Sequence, residues 1–297
     1  MSRHFILTLI PCTALSMSAT DTTASELEKI QKTKSISIAH RESSIPFSYL
    51  DGNKRPIGYA IDLCERITES IRVHLKLPSI NVIFVPVSAA SRIPTMLAGN
   101  ASLECGSTTN TAERRKQVDF TIPHYISSAR LLVRSISPID GQEDLHNKIV
   151  ASNRGSTSIK NLERLNAEHL LRMQIVGTSD HTEAFQMLSS GKVDAFAMDD
   201  VLLYGIRAQA ENPGDFKVVG RPMTIEPYAI MLPKADPAFK RVVDDEMRRM
   251  IANGTLQQLY AKWFLQPIPP SGANLQLKMP SLFRESLKFP TDKVDIQ

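Results

Sequence analysis

Beyond its N-terminal segment the sequence has no apolar run approaching the ~20 residues that a membrane-spanning helix needs. It has no block of like charge either. Its 35 lysines and arginines are interspersed with 31 acids, for a formal net charge of +4, which offers no footing for nucleic acid or an anionic membrane surface. Neither a metal-ligand spacing nor a glycine-rich nucleotide fingerprint occurs, so no metal and no cofactor is expected. Cysteine is scarce, with three in the chain. Cys12 falls in the N-terminal apolar run, directly after Pro11, a context that argues against lipid attachment. Cys64 falls in an apparent helix and Cys105 ends a strand-like run. Two cysteines can pair in an oxidising compartment, but these contexts speak against it.

What the sequence does contain begins with a leader. Arg3 precedes a short apolar run up to Met17, and small residues Ser16, Ser18 and Ala19 precede the polar Asp21-Thr22-Thr23. A basic start, a short apolar centre and a small-residue exit describe a secretory signal peptide, expected to cover residues 1–19.

The remainder alternates between two periodicities. Residues 35–39 alternate as a strand does and 81–87 are rich in β-branched side chains, whereas 61–75 place apolar residues at helical spacing. Helices near 94–97 and 113 flank a strand near Leu103, and a strand follows at 129–133. Strands at 148–151, 173–176 and 193–198 then alternate with helices at 158–171 and 182–189. This rhythm predicts α/β units built on mainly parallel sheets, and 297 residues leave room for two of them. Two segments echo each other: Met96-Leu97-Ala98-Gly99-Asn100 before Leu103, and Met187-Leu188-Ser189-Ser190-Gly191-Lys192 before Val193. Each reads as a helix closed by glycine and followed by a strand. Near the C-terminus Asn253-Gly254 stops one helix, and Thr255 with Gln258 has the spacing of a capping box for a last helix to about Phe264.

Polar loops that open helices carry the chemistry. Ser107-Thr108-Thr109-Asn110 stands before Glu113 and Arg114, Gly155-Ser156-Thr157-Ser158 has the same form, and Ser91 precedes Arg92 and Pro94. A hydroxyl loop before a helix is usually only a cap. With arginines alongside, backbone N–H groups and hydroxyls make a carboxylate site, and such loops collect outside the carboxyl ends of strands in open α/β sheets.

Several motifs together make the chain resemble the polar amino-acid solute-binding proteins of ABC importers, and within them the glutamate/aspartate-binding branch. They are His40-Arg41-Glu42-Ser43-Ser44-Ile45-Pro46-Phe47, Gly58-Tyr59 with Asp62, Ser91-Arg92-Ile93-Pro94, and Glu104-Cys105-Gly106-Ser107-Thr108-Thr109-Asn110 with Glu113-Arg114. Asp180-His181, Met198-Asp199-Asp200 and Lys262-Trp263-Phe264 complete the set. The resemblance implies a type II periplasmic-binding-protein fold, with two α/β lobes joined by two crossing strands near 127–133 and 226–232. Residues 20–127 and 228–297 would form lobe 1, and 128–227 lobe 2.

It also implies a periplasmic monomer that binds a small acidic amino acid and meets the permease subunits of an ABC importer. Arg114 and Thr109 would hold the ligand α-carboxylate, with Thr157 closing from lobe 2. Asp199 would face the α-ammonium, with Ser107 as a further acceptor. Arg41, Arg92 and His181 would clamp the side-chain carboxylate. No catalytic residue is expected, although a cyclohexadienyl dehydratase-like enzyme uses the same fold, and a sensory ligand-binding module is a further alternative. The chain departs from the family pattern at three places. The return crossing Glu226-Pro227-Tyr228-Ala229-Ile230-Met231-Leu232 lacks a cysteine, so Cys105 is expected to stay reduced. Ala89-Ala90 stand where a polar residue often meets the ligand, and Arg154 adds positive charge beside Gly155.

Export should remove about residues 1–19. Intact-mass analysis of the periplasmic protein tests this, and a secreted species that retains residues 1–17 would overturn it.

Overall fold

The structure, a computed structural model, describes residues 25–293; the leader expected at 1–19 lies outside the described residues. Two five-stranded sheets share one plan. The first runs Asn81–Pro86, Ser35–His40, Leu103–Cys105, Met231–Leu232, Asp119–Phe120. Its first three strands are parallel and the returning Met231–Leu232 strand is antiparallel. The second runs Gln174–Thr178, Ile149–Asn153, Ala195–Asp199, Ala129–Arg134, Phe216–Val219, again three parallel strands followed by antiparallel neighbours. Helices flank both, giving the two-lobed α/β architecture.

The echo in the sequence marks equivalent places. Gly99 and Gly191 both adopt left-handed φ values, of 67° and 74°, and each closes the second crossover helix of its sheet and leads into the strand that follows, Leu103–Cys105 or Ala195–Asp199. The chain passes between the sheets through two short strands, Tyr125–Ser127 and Glu226–Tyr228, which pair antiparallel with each other. The first crossing is thus earlier and shorter than the expected 127–133, because Ala129–Arg134 already belongs to the second sheet.

Aromatic packing fixes these link strands to the first lobe. Phe47 meets Tyr125 and Tyr228 edge-on, each at 5.1 Å between ring centroids, and Tyr125 stacks on Phe264. The Gly58-Tyr59 pair exists for a close approach: Tyr59 and Ala60 donate their backbone N–H groups to Pro46 and Phe47, and a Cβ at Gly58 would lie 2.3 Å from the Phe47 carbonyl oxygen. Asp62, on the helix Tyr59–His74, accepts from the Trp263 indole at 2.7 Å and pairs with Lys262. Trp263 therefore fastens its own helix to the lobe and is itself buried. That helix, Thr255–Phe264, starts without the expected capping box. Gly254 occupies the cap in a left-handed conformation, and the Thr255 N–H is met by Asn253 Oδ1 instead.

Cys64 and Cys105 form a disulfide, with Cα atoms 6.4 Å apart. This corrects the expectation of reduced thiols. The helix bearing Cys64 lies over the first sheet and brings its buried face down onto the end of the strand bearing Cys105, a proximity across the fold that their separate local contexts conceal. Closing a loop of 41 residues stabilises the folded state by about 4 kcal/mol in the chain-entropy treatment. The Cys64→Ser/Cys105→Ser protein should therefore melt on the order of 10 °C lower. Differential scanning calorimetry, beside a thiol titration of the unfolded wild type, tests this. Equal melting temperatures, or two free thiols, would contradict the crosslink.

Candidate ligand-binding site

The site residues stand where the strands of both sheets end. Arg41 follows the strand ending at His40, Arg92 opens the helix Arg92–Leu97, and Ser107 and Thr109 follow Cys105. From the second sheet, Thr157 opens the helix Thr157–His169, His181 opens His181–Ser189, and Asp199 ends its strand. Seven of the eight expected residues, Arg41, Arg92, Ser107, Thr109, Thr157, His181 and Asp199, line one narrow cavity, with Ala89, Met198 and Leu202 as apolar wall. Arg114 is the exception. It borders the adjoining opening together with Thr109 and Thr157, and donates to the carbonyls of Thr109 at 2.9 Å and Gly155 at 3.1 Å.

Of the three hydroxyl loops read as helix starts, only Ser156 caps as expected, accepting from the Ile159 N–H. Ser91 accepts from Ser88 instead, and the short helix Ala112–Arg115 is capped by Thr111 rather than Asn110. Gly155, with φ +79°, comes so close to the opposite lobe that a Cβ would lie 2.7 Å from the Ala89 oxygen. Ala89-Ala90, which lack a polar side chain, are the surface that allows this approach. Arg154 lies across Gly177 and is not part of the cavity lining.

At one end of the cavity Arg41 and Arg92 are 2% and 3% exposed. Arg41 Nη2 and Arg92 Nε have no hydrogen-bond partner, and neither residue makes a salt bridge among the described residues. Burial pulls the Arg41 guanidinium down to about 10, with repulsion from Arg92 adding to it, and burial also lowers Arg92. The nearby acid is Glu104, fully buried and reached indirectly. Arg92 Nη1 donates to the Thr108 hydroxyl at 2.6 Å, which donates to Glu104 Oε2 at 2.7 Å. Burial raises the Glu104 pKa while Arg92 and Arg41 oppose the rise. Asp180 also acts on Arg41 from the adjoining opening, but neither acid makes an ion pair with either guanidinium among the described residues. His181 supplies no charge: burial, then Arg41, push its pKa down to about 3. Its Nδ1 is 3.1 Å from the Ser43 carbonyl, which can only accept, so the neutral ring turns Nε2 to the site as an acceptor. It donates to a carboxylate only after gaining a second proton.

At the other end Asp199 accepts from the hydroxyls of Tyr228 and Ser158. Burial, followed by the neighbouring charge of Glu226, pushes its carboxyl up to about 8. Glu226 was legible only as part of the return strand. In the structure its Oε2 accepts from Thr109 Oγ1 at 2.7 Å and Thr157 Oγ1 at 2.9 Å, one hydroxyl from each lobe. A glutamate inside a short, otherwise apolar strand is the signal that could have drawn attention to it. The cleft as a whole can hold a zwitterion: a carboxyl for a cation at one end, guanidinium groups for an anion at the other, and hydroxyls between.

Comparison with known proteins gives a consistent set. The profile of the bacterial extracellular solute-binding proteins, family 3, matches residues 36–266. An L-glutamate/L-aspartate-binding protein of Pseudomonas aeruginosa is 42% identical over 268 residues, 90% of this chain and 89% of the other. A glutamate/aspartate import solute-binding protein of Escherichia coli is 38% identical over 91% of this chain and 89% of its own length. Among solved structures, an ancestral amino acid-binding protein, a precursor of cyclohexadienyl dehydratase, superposes with a TM-score of 0.70 at 29% identity, covering 80% of this chain and 99% of that one.

The raised Asp199 pKa has a stability consequence that needs no ligand. The folded state holds this proton up to about pH 8 while the unfolded chain releases it near pH 4, so stability falls as pH rises through that window. Asp199→Asn abolishes the cost of ionisation. At pH 7 it should be more stable than wild type by on the order of a few kcal/mol, the gain vanishing towards pH 4. Calorimetric melting from pH 4 to 8 tests this; parallel curves for the two proteins would refute it.

Proposed function

Because the chain belongs to the bacterial extracellular solute-binding proteins of family 3, we propose that it captures L-glutamate or L-aspartate in the periplasm and presents it, as a monomer, to the permease subunits of an ABC importer. One observation carries the acidic ligand: Arg41 and Arg92 are buried with orphaned N–H donors and no carboxylate in ion-pair contact among the described residues. A side-chain carboxylate supplies the missing charge and accepts both donors. Its other end presents an α-ammonium to Asp199, with Ser107 as a further acceptor, and an α-carboxylate to Thr109 and Thr157. Arg114 stands behind Thr109 and adds its positive charge there. Residues 20–127 with 228–297 act as one lobe and 128–227 as the other, closing about the paired link strands.

Binding rather than turnover is the reading we favour, and relatives that are named for solute binding support it. The protonated Asp199 gives an acid–base role some footing, as does the structural likeness to a dehydratase precursor. However, Asp199 is positioned to ionise against an ammonium, which prephenate lacks; arogenate carries one, so both are tested. Incubation with prephenate or arogenate should yield no aromatic product over many equivalents.

Glutamate or aspartate should bind at least roughly tenfold to a hundredfold more tightly than glutamine, since an amide cannot neutralise two buried guanidinium groups. Arg41→Ala and Arg92→Ala should erase most of that preference, whereas Arg114→Ala should weaken all three ligands together. Titration calorimetry on the four proteins decides. Equal affinity of the wild type for glutamine and glutamate would remove the acidic-ligand assignment.

A further inference from the structure

Glu226 takes up donors that the ligand also needs. Thr109 and Thr157 each own a single hydroxyl proton, and both protons are directed at Glu226 Oε2. Thr109 belongs to the loop after the Leu103–Cys105 strand and Thr157 to the first turn of the helix Thr157–His169, so one carboxylate oxygen ties the two lobes together. The oxygen is not free to drift. Glu226 is 3% exposed and lies on the link strand, paired in register with Ser127.

We propose that Glu226 is an internal latch whose carboxylate competes with the ligand α-carboxylate for the hydroxyls of Thr109 and Thr157, holding the lobes together without ligand and weakening the binding of every amino acid alike. This rests on the α-carboxylate assignment given above for Thr109 and Thr157. Two further observations agree with it. Other bonds cross the cleft beside the latch, Arg114 Nη2 to the Gly155 carbonyl and Lys160 to Glu113 at 2.7 Å, so the contact is part of a closed face rather than an isolated bond. The Glu226 charge also disfavours ionised Asp199, second only to burial. The same carboxylate therefore opposes the ligand at both of its α-substituents, by taking donors from the carboxylate and by keeping the ammonium's partner protonated.

Glu226→Gln keeps the shape and removes the charge. It should bind glutamate, aspartate and glutamine each about tenfold more tightly, with their ranking unchanged, because the competing acceptor is a weak one. Glu226→Asp keeps the charge but shortens the reach, and separates loss of the bridge from loss of the charge. In ligand-free protein, spin labels placed one on each lobe should report a shorter distance for the wild type than for Glu226→Asp, whose carboxylate no longer reaches both hydroxyls. Weaker binding by Glu226→Gln, or unchanged distance distributions, would overturn the latch. If the wild type bound no acidic amino acid at all, the ligand assignment would fail, while the ligand-free distances would still decide whether Glu226 holds the lobes.

Discussion

Arg41 and Arg92 carry two positive charges into a space from which water is nearly excluded, and much of the surrounding structure can be understood as the means of holding them there. Burial weakens their hold on their protons, and at Arg41 the neighbouring Arg92 adds to this. Glu104 lies close but touches neither; Thr108 stands between it and Arg92. A direct buried pair would neutralise one guanidinium, and its desolvation cost would be offset internally. Reached through a hydroxyl, the carboxylate orients Arg92 and leaves its charge only partly answered. The disulfide at Cys105 sits next to Glu104 in sequence, so the crosslink that ties the strand to the helix Tyr59–His74 also fixes the residue that steers the arginine.

Motion and chemistry share one short strand. Tyr228 packs against Phe47 in the first lobe and gives its hydroxyl to Asp199 of the second. Two residues earlier, Glu226 accepts from both lobes. Any change in the angle between the sheets therefore moves the groups that set the protonation of Asp199 and the donors around it. An inter-lobe link of apolar residues alone would hinge without reporting on the site.

The parts visible in the sequence were those encoded locally. Alternation and glycine stops gave both sheets, and arginines beside hydroxyl loops gave most of the cavity wall, because each such feature is complete within a few residues. What escaped needed two distant segments at once. Cys64 and Cys105 meet only after a helix is laid on a strand. Thr255 and Gln258 have capping spacing, yet Gly254 turns the chain so that neither side chain caps. Glu226 reads as an interruption in an apolar strand until Thr109 and Thr157 are brought to it from opposite lobes. The motif alone points Arg114 at the ligand, whereas the fold sets it against the Thr109 and Gly155 carbonyls, a step back from the cavity.

The contact between Gly155 and Ala89-Ala90 separates two properties that are often treated as one. It is a meeting of backbone with backbone, with room for no additional atom, and Gly155 is not among the residues that line the cavity. Its steric volume limits how near the two backbones can come, while the charged groups of the cavity stand elsewhere. A wedge inserted there would shorten the residence time of every occupant and leave their order intact. For a solute-binding protein, grip strength and selectivity can in this way be adjusted at independent positions.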